Sequence, residues 1–378
     1  MNTVPKNGKD IVCVHLYDDF SGAANVFEQA LSILQADGHR LQVIVGSGGQ
    51  PGFIRTHHPA RTIRYRMAST KLGLLCNFLL AQVLLFVRVL RLCLTRRVDI
   101  VYVNTVLPAG AALAGKLCGK TVVFHLHEVG LGSASLFRLL LGIARRCGDR
   151  LISVSSYLAT TLRLPAGKTD VVPNSLSPAH WSEAQAARAA PNGHDKPFVV
   201  VMACSLRWYK GLDSFAELAQ RFDSRPPGAR PVRFELLLNA QQDEFDEYVQ
   251  SRRWPRHLAM IRRPTSIFDH YRHAGLVVNL SHPEGWIETF GLTLLEAMAC
   301  GVPVICPQVG GCLELFEPGA GGWRIDSRDI DALEQKVVEL AADPVNWSDA
   351  SSQARHSAQQ FAPSSFSTRL LRIFSPDQ

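Results

Sequence analysis

Two glutamates in the second half of the chain carry the clearest chemical signal in the sequence. They are Glu288 and Glu296, within the stretch NLSHPEGWIETFGLTLLEAMACGVPVI at 279–305. Glu288 lies in a loop after a predicted strand, and Glu296 lies inside a helix predicted to begin at Gly291. An ionised carboxylate only accepts hydrogen bonds, so it suits the two hydroxyl donors of a ribose.

The backbone at the start of this helix is a predicted anion site. The first N–H groups of a helix have no acceptor within the helix, and the helix dipole favours negative charge beside them. These groups belong to Phe290, Gly291, Leu292 and Thr293. We therefore expect a diphosphate to lie against this turn.

The elements that must position these residues form a repeated pattern. Short β-branched runs alternate with helical stretches in both halves, which predicts two Rossmann-like α/β domains with parallel sheets. A chain of 378 residues also exceeds the length at which a single hydrophobic core usually divides. Ligands of such folds bind at the carboxyl ends of the strands, so the two domains are expected to face each other across a ligand-binding cleft.

The predicted domain limits follow from this pattern and from composition. The first domain covers 1–174, a linker rich in Ala, Pro and Ser covers 175–197, the second domain covers 198–360, and a last helix at 361–378 could return to the first domain. Strands are predicted at 11–16, up to Gly46, at 100–103, 122–125, 151–154, 198–202, 234–238, 275–280 and 302–306.

The excess of positive charge is confined to the first half. Residues 1–180 hold 20 Lys and Arg against 9 Asp and Glu, whereas the rest of the chain holds 20 against 24. The difference indicates an anionic partner of the first half, such as lipid, a phosphorylated acceptor or nucleic acid, or else a solvated basic surface. Nucleic acid is disfavoured because no aromatic platform is interleaved with the basic residues.

An uncharged, leucine-rich run at 72–87 lies inside this basic half. Its basic flanks are Arg61, Arg64, Arg66, Lys71, Arg88, Arg91, Arg96 and Arg97. The run is shorter than the ~20 residues that a membrane-spanning helix needs. It therefore predicts either a buried domain helix or an interfacial helix whose arginines meet anionic headgroups.

Cysteine usage and the N-terminus bear on the compartment. The nine cysteines include no CxxC pair and no Cys/His cluster at zinc spacing, which is typical of a reducing compartment. Residues 1–10 are polar and lack the apolar core of a secretory signal. A cytoplasmic protein is expected.

Several motifs together resemble family 4 of the retaining glycosyltransferases, whose GT-B fold has two facing Rossmann-like domains. They are the Glu-x7-Glu pair of Glu288 and Glu296, the EAMACGVPVI that runs on from it, and Gly310-Gly311. VVPNSLSP, DRLISVSSYLA and ACSLRWYKGL extend the resemblance over nearly the full chain. It implies that Glu288 contacts the transferred sugar, that Glu296 binds the ribose hydroxyls, and that the backbone at 290–293 meets donor phosphate and sugar.

The same resemblance points to cations for the departing diphosphate. The family usually carries Gly-Arg and then Lys-Gly in this loop, and here Lys210-Gly211 matches the second pair. The Gly-Arg position reads Cys204-Ser205, which leaves Arg207 as the nearest substitute. Lys210 is therefore expected to stabilise the leaving group, with Arg207 as the second cation. The alternative is a basic loop without this function.

Two residues of the first half are singled out in the same way. In VVFHLHEVG, His127 follows a predicted strand at the position where the family has a histidine that reaches the donor. The turn at Ser21, Gly22 and Ala23 resembles the family's glycine-rich first loop. Without the resemblance, His127 would more simply be a packing residue and Gly22 an ordinary turn glycine.

The resemblance implies a retaining, metal-independent hexosyltransferase that needs no cofactor. It would move sugar from a nucleoside diphosphate sugar to a glycan acceptor. The basic first half and the run at 72–87 favour a lipid-linked, polyprenyl-type acceptor at the inner face of the cytoplasmic membrane, as in polysaccharide or lipopolysaccharide assembly. No metal is expected because the one Asp-x-Asp, at 329–331, has the pattern of a helix cap. The alternatives are a nucleotide-sugar epimerase or hydrolase, or a non-catalytic scaffold of the same fold.

Overall fold

The computed structural model of the chain describes residues 8–46, 51–65, 68, 70–130, 132–187, 196–223 and 230–375. It contains two compact units, one formed by Met1–Asn174 with Phe366–Gln378 and the other by Ser175–Ser365. Within the predicted linker, Pro178–Ala186 is a helix, and residues 188–195 lie outside the described part.

The first unit contains a seven-stranded sheet in which every neighbouring pair is parallel. Its strands are β1 (Asp10–His15), β2 (Arg40–Gly46), β3 (Ala60–Ile63), β4 (Ile100–Asn104), β5 (Thr121–Leu126), β6 (Arg150–Ser153) and β7 (Thr169–Val171). They lie in the order β3-β2-β1-β4-β5-β6-β7. The order changes direction between β1 and β4, which is the point where open α/β sheets bind ligands.

Helices connect these strands, as parallel neighbours require. They are α1 (Gly22–Ala36), α2 (Phe53–His57), α3 (Lys71–Thr95), α4 (Ala109–Leu117), α5 (Ala134–Cys147) and α6 (Ser156–Thr161). The central strands are almost completely buried, since Ile11–His15 and all of β4 are out of solvent. Burial of this kind is typical of a parallel sheet covered on both faces.

The second unit repeats the architecture with six parallel strands. They are β8 (Phe198–Ser205), β9 (Val232–Asn239), β10 (Leu258–Arg262), β11 (Ala274–Val278), β12 (Val304–Cys306) and β13 (Gly322–Arg324), in the order β10-β9-β8-β11-β12-β13. The helices are α7 (Pro178–Ala186), α8 (Leu212–Arg221), α9 (Gln242–Gln250), α10 (Phe268–Tyr271), α11 (Leu292–Cys300), α12 (Ile330–Ala342) and α13 (Pro344–Ala358). The direction changes between β8 and β11. The prediction of two Rossmann-like α/β domains is confirmed.

The last helix, α14 (Pro363–Phe374), ends in the core of the first unit. The ring of Phe374 is fully buried and meets Tyr102 of β4 edge-on, with centroids 4.9 Å apart. Next to it, Ser375 Oγ lies 3.3 Å from His39 Nε2. Helix α14 therefore packs in the same unit as β1.

Helix α3 covers the uncharged run and continues past it to Thr95. Among the described residues it is the one helix long and apolar enough to cross a membrane by length and composition, and 22% of its most apolar window is buried. One face packs on α4, where Gly110 N–H donates to Gln82 Oε1 at 2.9 Å. The other face exposes apolar side chains: Leu72, Leu75, Leu79, Leu80, Val83, Val87 and Leu94.

Candidate active site

Lys210 lies at the point where the second sheet changes direction. A short 3-10 helix, Trp208–Lys210, follows β8 and passes directly into α8 through Gly211. Gly211 has φ +79°, and a Cβ on it would lie 2.1 Å from the carbonyl oxygen of Leu280, just after β11. Gly211 is therefore needed for the loops after β8 and β11 to approach each other.

Glu288 reaches Lys210 from the loop after β11. Lys210 Nζ lies 3.1 Å from Glu288 Oε2, and Asn279 Nδ2 donates to the same oxygen at 3.2 Å. Both charged side chains are mostly shielded from water, with exposed fractions of 16% and 18%. Hydrogen bonds between ionised partners are stronger than neutral ones, so this trio holds the carboxylate and the ammonium in place.

A glycine pair supports the backbone of Glu288. Gly311 N–H donates to the Glu288 carbonyl at 2.8 Å, and Gly310 has φ +127°. A Cβ at position 310 would lie 2.4 Å from the same carbonyl oxygen. Only glycine allows this contact, because a side chain at 310 would have to displace Glu288.

Helix α11 begins where the anion site is predicted. Gly291 has φ +97° and precedes the helix, and Leu294 and Leu295 donate the first backbone hydrogen bonds to its carbonyl. Phe290 is 2% exposed and packs edge-on against Phe361, so its backbone rather than its ring faces any ligand here. The turn at 290–293 thus has the geometry of a helix N-terminus that can bind an anion.

Glu296 lies on the second turn of α11 with an unsatisfied carboxylate. Its Oε2 is buried and has no hydrogen-bond partner in the described part of the chain. Burial raises the pKa of this carboxyl to about 8. A buried acceptor without a donor is costly, and two hydroxyl donors would satisfy it.

A stacked pair of aromatic rings lies beside Lys210. Lys210 Nζ is 5.1 Å from the centre of the Trp286 ring, and Trp286 stacks on Tyr209 at 5.8 Å. Trp286 is 39% exposed, and Trp208 is 66% exposed. The charged pair is therefore bordered by exposed aromatic surface, which suits the apolar faces of a sugar ring.

Arg207 does not join Lys210 and Glu288. Its guanidinium lies 3.7 Å from Glu244 of α9, donates to the carbonyl of Leu206 and is more than half exposed. The neighbouring Cys204 supplies no charge, since burial raises the pKa of its thiol to about 12. Lys210 is thus the cation that this loop directs to Glu288.

In the first unit, His127 follows β5 and belongs to a buried polar network. Its Nε2 lies 2.8 Å from Asn104 Oδ1, at the end of β4. Asn104 Nδ2 in turn donates to the carbonyl of Ala23 at 3.1 Å and lies 3.0 Å from His15 Nδ1. Asn104 therefore ties His127 to the exposed turn that contains Gly22.

Burial keeps these imidazoles neutral. It lowers the pKa of His127 well below its usual range, with His125 and His15 adding to the effect, and it lowers the pKa of His15 to about 4. With an amide oxygen accepting at Nε2, His127 is a neutral hydrogen-bond donor. Burial raises the pKa of the adjacent Glu128 to about 7.

Several residues of these sites have no clear signal in the sequence. They are Asn104, Asn279 and Trp286, each of which contacts a site side chain. Both asparagines lie at predicted strand ends, which is where polar side chains of a ligand site are expected. Asp329 is a helix cap as predicted, since its side chain accepts from Ala332 N–H at 3.0 Å.

Two parallel α/β units with polar side chains at their switch points define a GT-B architecture. Comparison with protein-family models agrees for both halves. Residues 20–180 match the model "Glycosyltransferase Family 4", and residues 184–360 match "Glycosyl transferases group 1". Together these matches show a glycosyltransferase of the GT-B type.

Similar solved structures extend over the full chain at low identity. The Anabaena protein HepE in complex with UDP-glucose is 21% identical, with a TM-score of 0.74 over 97% of this chain and 99% of that one. WaaG, a glycosyltransferase involved in lipopolysaccharide biosynthesis, is 16% identical, with a TM-score of 0.69 over 97% and 99%. At these identities the likeness shows the fold, and the predicted GT-B fold is confirmed.

Curated relatives match over shorter stretches. D-inositol 3-phosphate glycosyltransferase of Thermobispora bispora is 35% identical over 28% of this chain and 24% of its own length. A GDP-mannose-dependent phosphatidylinositol monomannoside mannosyltransferase of Mycolicibacterium smegmatis is 28% identical over 58% and 60%. The chain spans less than two thirds of either relative, so its own activity, substrates and partners are matters for proposal.

Proposed function

We propose that this protein transfers a hexose from a nucleoside diphosphate sugar to a glycan acceptor, with retention of the anomeric configuration. The observation that carries the proposal is the unpartnered, buried Oε2 of Glu296 on the helix whose first turn is a predicted diphosphate site. A ligand with a ribose and a diphosphate would supply hydroxyl donors to Glu296 and an anion to the first turn of the helix. UDP-glucose and GDP-mannose, named with similar proteins, are the first donors to try.

The proposed step follows from the charges at the site. The bond from the sugar C1 to the diphosphate oxygen breaks, and its electron pair stays on that oxygen. The acceptor oxygen forms its bond to C1 on the same face and passes its proton to the departing diphosphate. Lys210 and the N–H groups at 290–293 stabilise the negative charge that develops there, while Glu288 holds Lys210 and contacts the sugar.

The exposed aromatic rings support a sugar at this position. Trp286 presents its ring beside the amine of Lys210, and Trp208 is the most exposed ring of the same loop pair. We expect His127 to stay neutral in the working pH range, and because its one N–H is donated to Asn104, any contact that it makes with a sugar hydroxyl would be as an acceptor. In this account the reaction needs neither metal nor cofactor.

The exposed surface of helix α3 favours the proposal that the acceptor is lipid-linked. It also favours a peripheral location of the protein on the inner face of the cytoplasmic membrane. From Leu72 to Val87 most of the exposed apolar residues of α3 recur at steps of three or four and so form one stripe. The exposed Arg91 continues this stripe toward Leu94. Arginines beside an apolar stripe favour an anionic lipid surface. Because the opposite face packs on α4, the helix is expected to lie along the membrane rather than to cross it.

Transfer is tested with labelled UDP-glucose and GDP-mannose, with and without bacterial membranes as the source of acceptor. We expect label in a lipid-extractable glycan only when membranes are present, and an α-linked product from these α-linked donors. Free sugar formed equally without membranes would indicate a hydrolase, and an isomerised nucleotide sugar an epimerase. Either result would contradict the proposal.

Membrane attachment is tested by co-sedimentation with vesicles of increasing anionic lipid content. Replacing Arg88, Arg91 and Arg96 by Gln should weaken binding roughly 100-fold, since each basic residue near an anionic surface contributes about 1 kcal/mol. Arg97 is left unchanged because its guanidinium pairs with Asp10 and Asp99. The control is Leu139→Ser, an exposed leucine on α5. Binding that does not depend on the anionic lipid content would contradict the proposed membrane attachment.

A further inference from the structure

Three metal-ligating side chains meet in the second unit on the side of β9 that faces α10. Glu235 is the fourth residue of β9, His270 belongs to α10, and His273 follows it. Glu235 Oε2 lies 2.7 Å from His270 Nδ1, and Glu235 Oε1 lies 3.2 Å from His273 Nε2. One ligand atom from each residue fits within a set whose members all lie within 4.8 Å of one another.

The donor set suits a zinc site. Zinc binds imidazole nitrogen and carboxylate oxygen at about 2.0–2.2 Å, which places neighbouring tetrahedral ligands roughly 3.4 Å apart. The 3.2 Å between His273 Nε2 and Glu235 Oε1 is close to this value, whereas His270 Nδ1 lies 2.7 Å from the other oxygen, Glu235 Oε2, and would have to move away from it to share an ion. Small side-chain rotations would therefore admit an ion in place of the two hydrogen bonds. Three protein ligands leave the fourth position to water.

We propose that Glu235, His270 and His273 bind one divalent transition metal ion, with zinc preferred. Two imidazoles and one carboxylate form a borderline ligand set that suits zinc better than calcium or magnesium, which prefer oxygen alone. The site is also accessible, since the His273 side chain is 42% exposed while Glu235 and His270 are each 20% exposed.

The surroundings support His273 as a ligand. Its ring also makes a hydrogen bond to the backbone of Asp269. Ligating histidines almost always donate their second N–H to such a group, which fixes the ring orientation. The Asp269 carboxylate is occupied by Arg272, whose Nη2 lies 2.8 Å away, so it does not compete for the ion.

The ion would fasten α10 to the sheet next to the proposed donor site. Tyr271 lies between the two histidines in sequence, is fully buried, and donates its hydroxyl to the Thr293 carbonyl of α11 at 3.4 Å. The metal therefore stabilises the short segment between β10 and β11 and, through Tyr271, the first turn of α11. In this proposal the ion acts by holding this segment in place.

The test is a zinc titration of the tag-free, full-length protein after chelator treatment and dialysis, followed by calorimetry and by competition with a chromophoric chelator. We expect one zinc per chain and a rise in melting temperature on binding. His270→Ala, His273→Ala and Glu235→Gln should each weaken zinc binding on the order of 100-fold, the upper end of the loss seen even for outer partners of ligands. Circular dichroism confirms that each variant is folded.

His257→Ala is the matched control, because this exposed histidine lies just before β10 in the same unit. It should bind zinc as the parent does. Cobalt substitution gives a second readout, since a tetrahedral site produces visible absorption that each ligand variant should lose. Absence of stoichiometric zinc binding by the parent, or equal affinity in parent and His273→Ala, would overturn the proposal. So would loss confined to His257→Ala.

Discussion

Replacing Glu296 by Gln should uncouple nucleotide binding from proton release. With a pKa of about 8, the buried carboxyl is about 90% protonated at pH 7 in the unliganded protein. Ribose hydroxyls that donate to Glu296 favour its ionised form and so lower its pKa. Binding of a nucleoside diphosphate should therefore release about 0.9 proton at pH 7, about 0.5 at pH 8 and about 0.1 at pH 9.

The affinity of the protein for the nucleoside diphosphate should depend on pH through the same ionisation of Glu296. It should rise up to about tenfold per pH unit below pH 8 and level off above it, because the ionised carboxylate is the binding form. Glu296→Gln keeps the size of the side chain but has no proton to release. Its affinity should be independent of pH between 7 and 9 and weaker than that of the parent above pH 8.

The assay is calorimetry with UDP and GDP in two buffers of different ionisation enthalpy, from pH 7 to 9. The range lies above the last phosphate pKa of about 6, so the ligand itself stays ionised. If the parent protein releases no proton on binding either nucleotide, Glu296 does not accept from the ribose. Equal release by Glu296→Gln would assign the proton to another group.

The raised pKa of Glu296 also determines how the stability of the folded protein changes with pH. The folded-state pKa of Glu296 is about 8 against an ordinary 4.5, so the folded protein holds a proton that the unfolded chain gives up. Its contribution is fully present below pH 4.5 and is lost as pH rises through 8, by about 1.4 kcal/mol per unit between these values. Glu296→Gln should therefore gain in melting temperature relative to the unliganded parent from pH 5 to 8 and no further above it.

Three further predictions concern the same site. Lys210→Ala should lower kcat roughly 100- to 1000-fold with a smaller change in donor KM, as for other lost transition-state donors. The control is Lys336→Ala, which should change neither kcat nor KM although the Lys336 amine also lies over a tryptophan ring. Gly310→Ala should destabilise the protein by at least about 2 kcal/mol in thermal unfolding and lower kcat by displacing Glu288. The control is Gly142→Ala, which should do neither because a Cβ at position 142 meets open space. Transfer at 25 °C should survive excess EDTA and gain nothing from magnesium; restoration by magnesium after full loss would contradict a metal-independent donor site.

Much of the fold could be predicted because long buried strands have an unambiguous pattern. Val12, Val101 and Val277 lie in runs of β-branched residues, and such runs gave the central strands to within a few residues. The strands that the sequence did not predict are all near sheet edges: β3, β7, β10 and β13. They are short and include charged or polar residues such as Arg61 and Asp170, so neither apolar continuity nor alternation is visible.

The site was harder to predict because spacing along the chain does not give side-chain direction. The Glu-x7-Glu spacing placed Glu288 in a loop and Glu296 on a helix, as the structure has them. Proximity in sequence also suggested Arg207 beside Lys210, yet the guanidinium is directed to Glu244. The three ligands of the proposed zinc site likewise have no signature in the sequence, because Glu235 is 35 residues from His270 and on another element.

We propose that Glu288, Glu296 and Lys210 form a donor site for a nucleoside diphosphate sugar. This site is tested by a thermal-shift panel of nucleotide sugars, run on the parent and on Glu296→Ala at pH 8. At 100 times its dissociation constant, the correct donor should stabilise the parent by about 2.7 kcal/mol. Glu296→Ala should lose most of this shift. A parent that no nucleotide sugar stabilises, or a variant that is stabilised as much as the parent, would contradict the account.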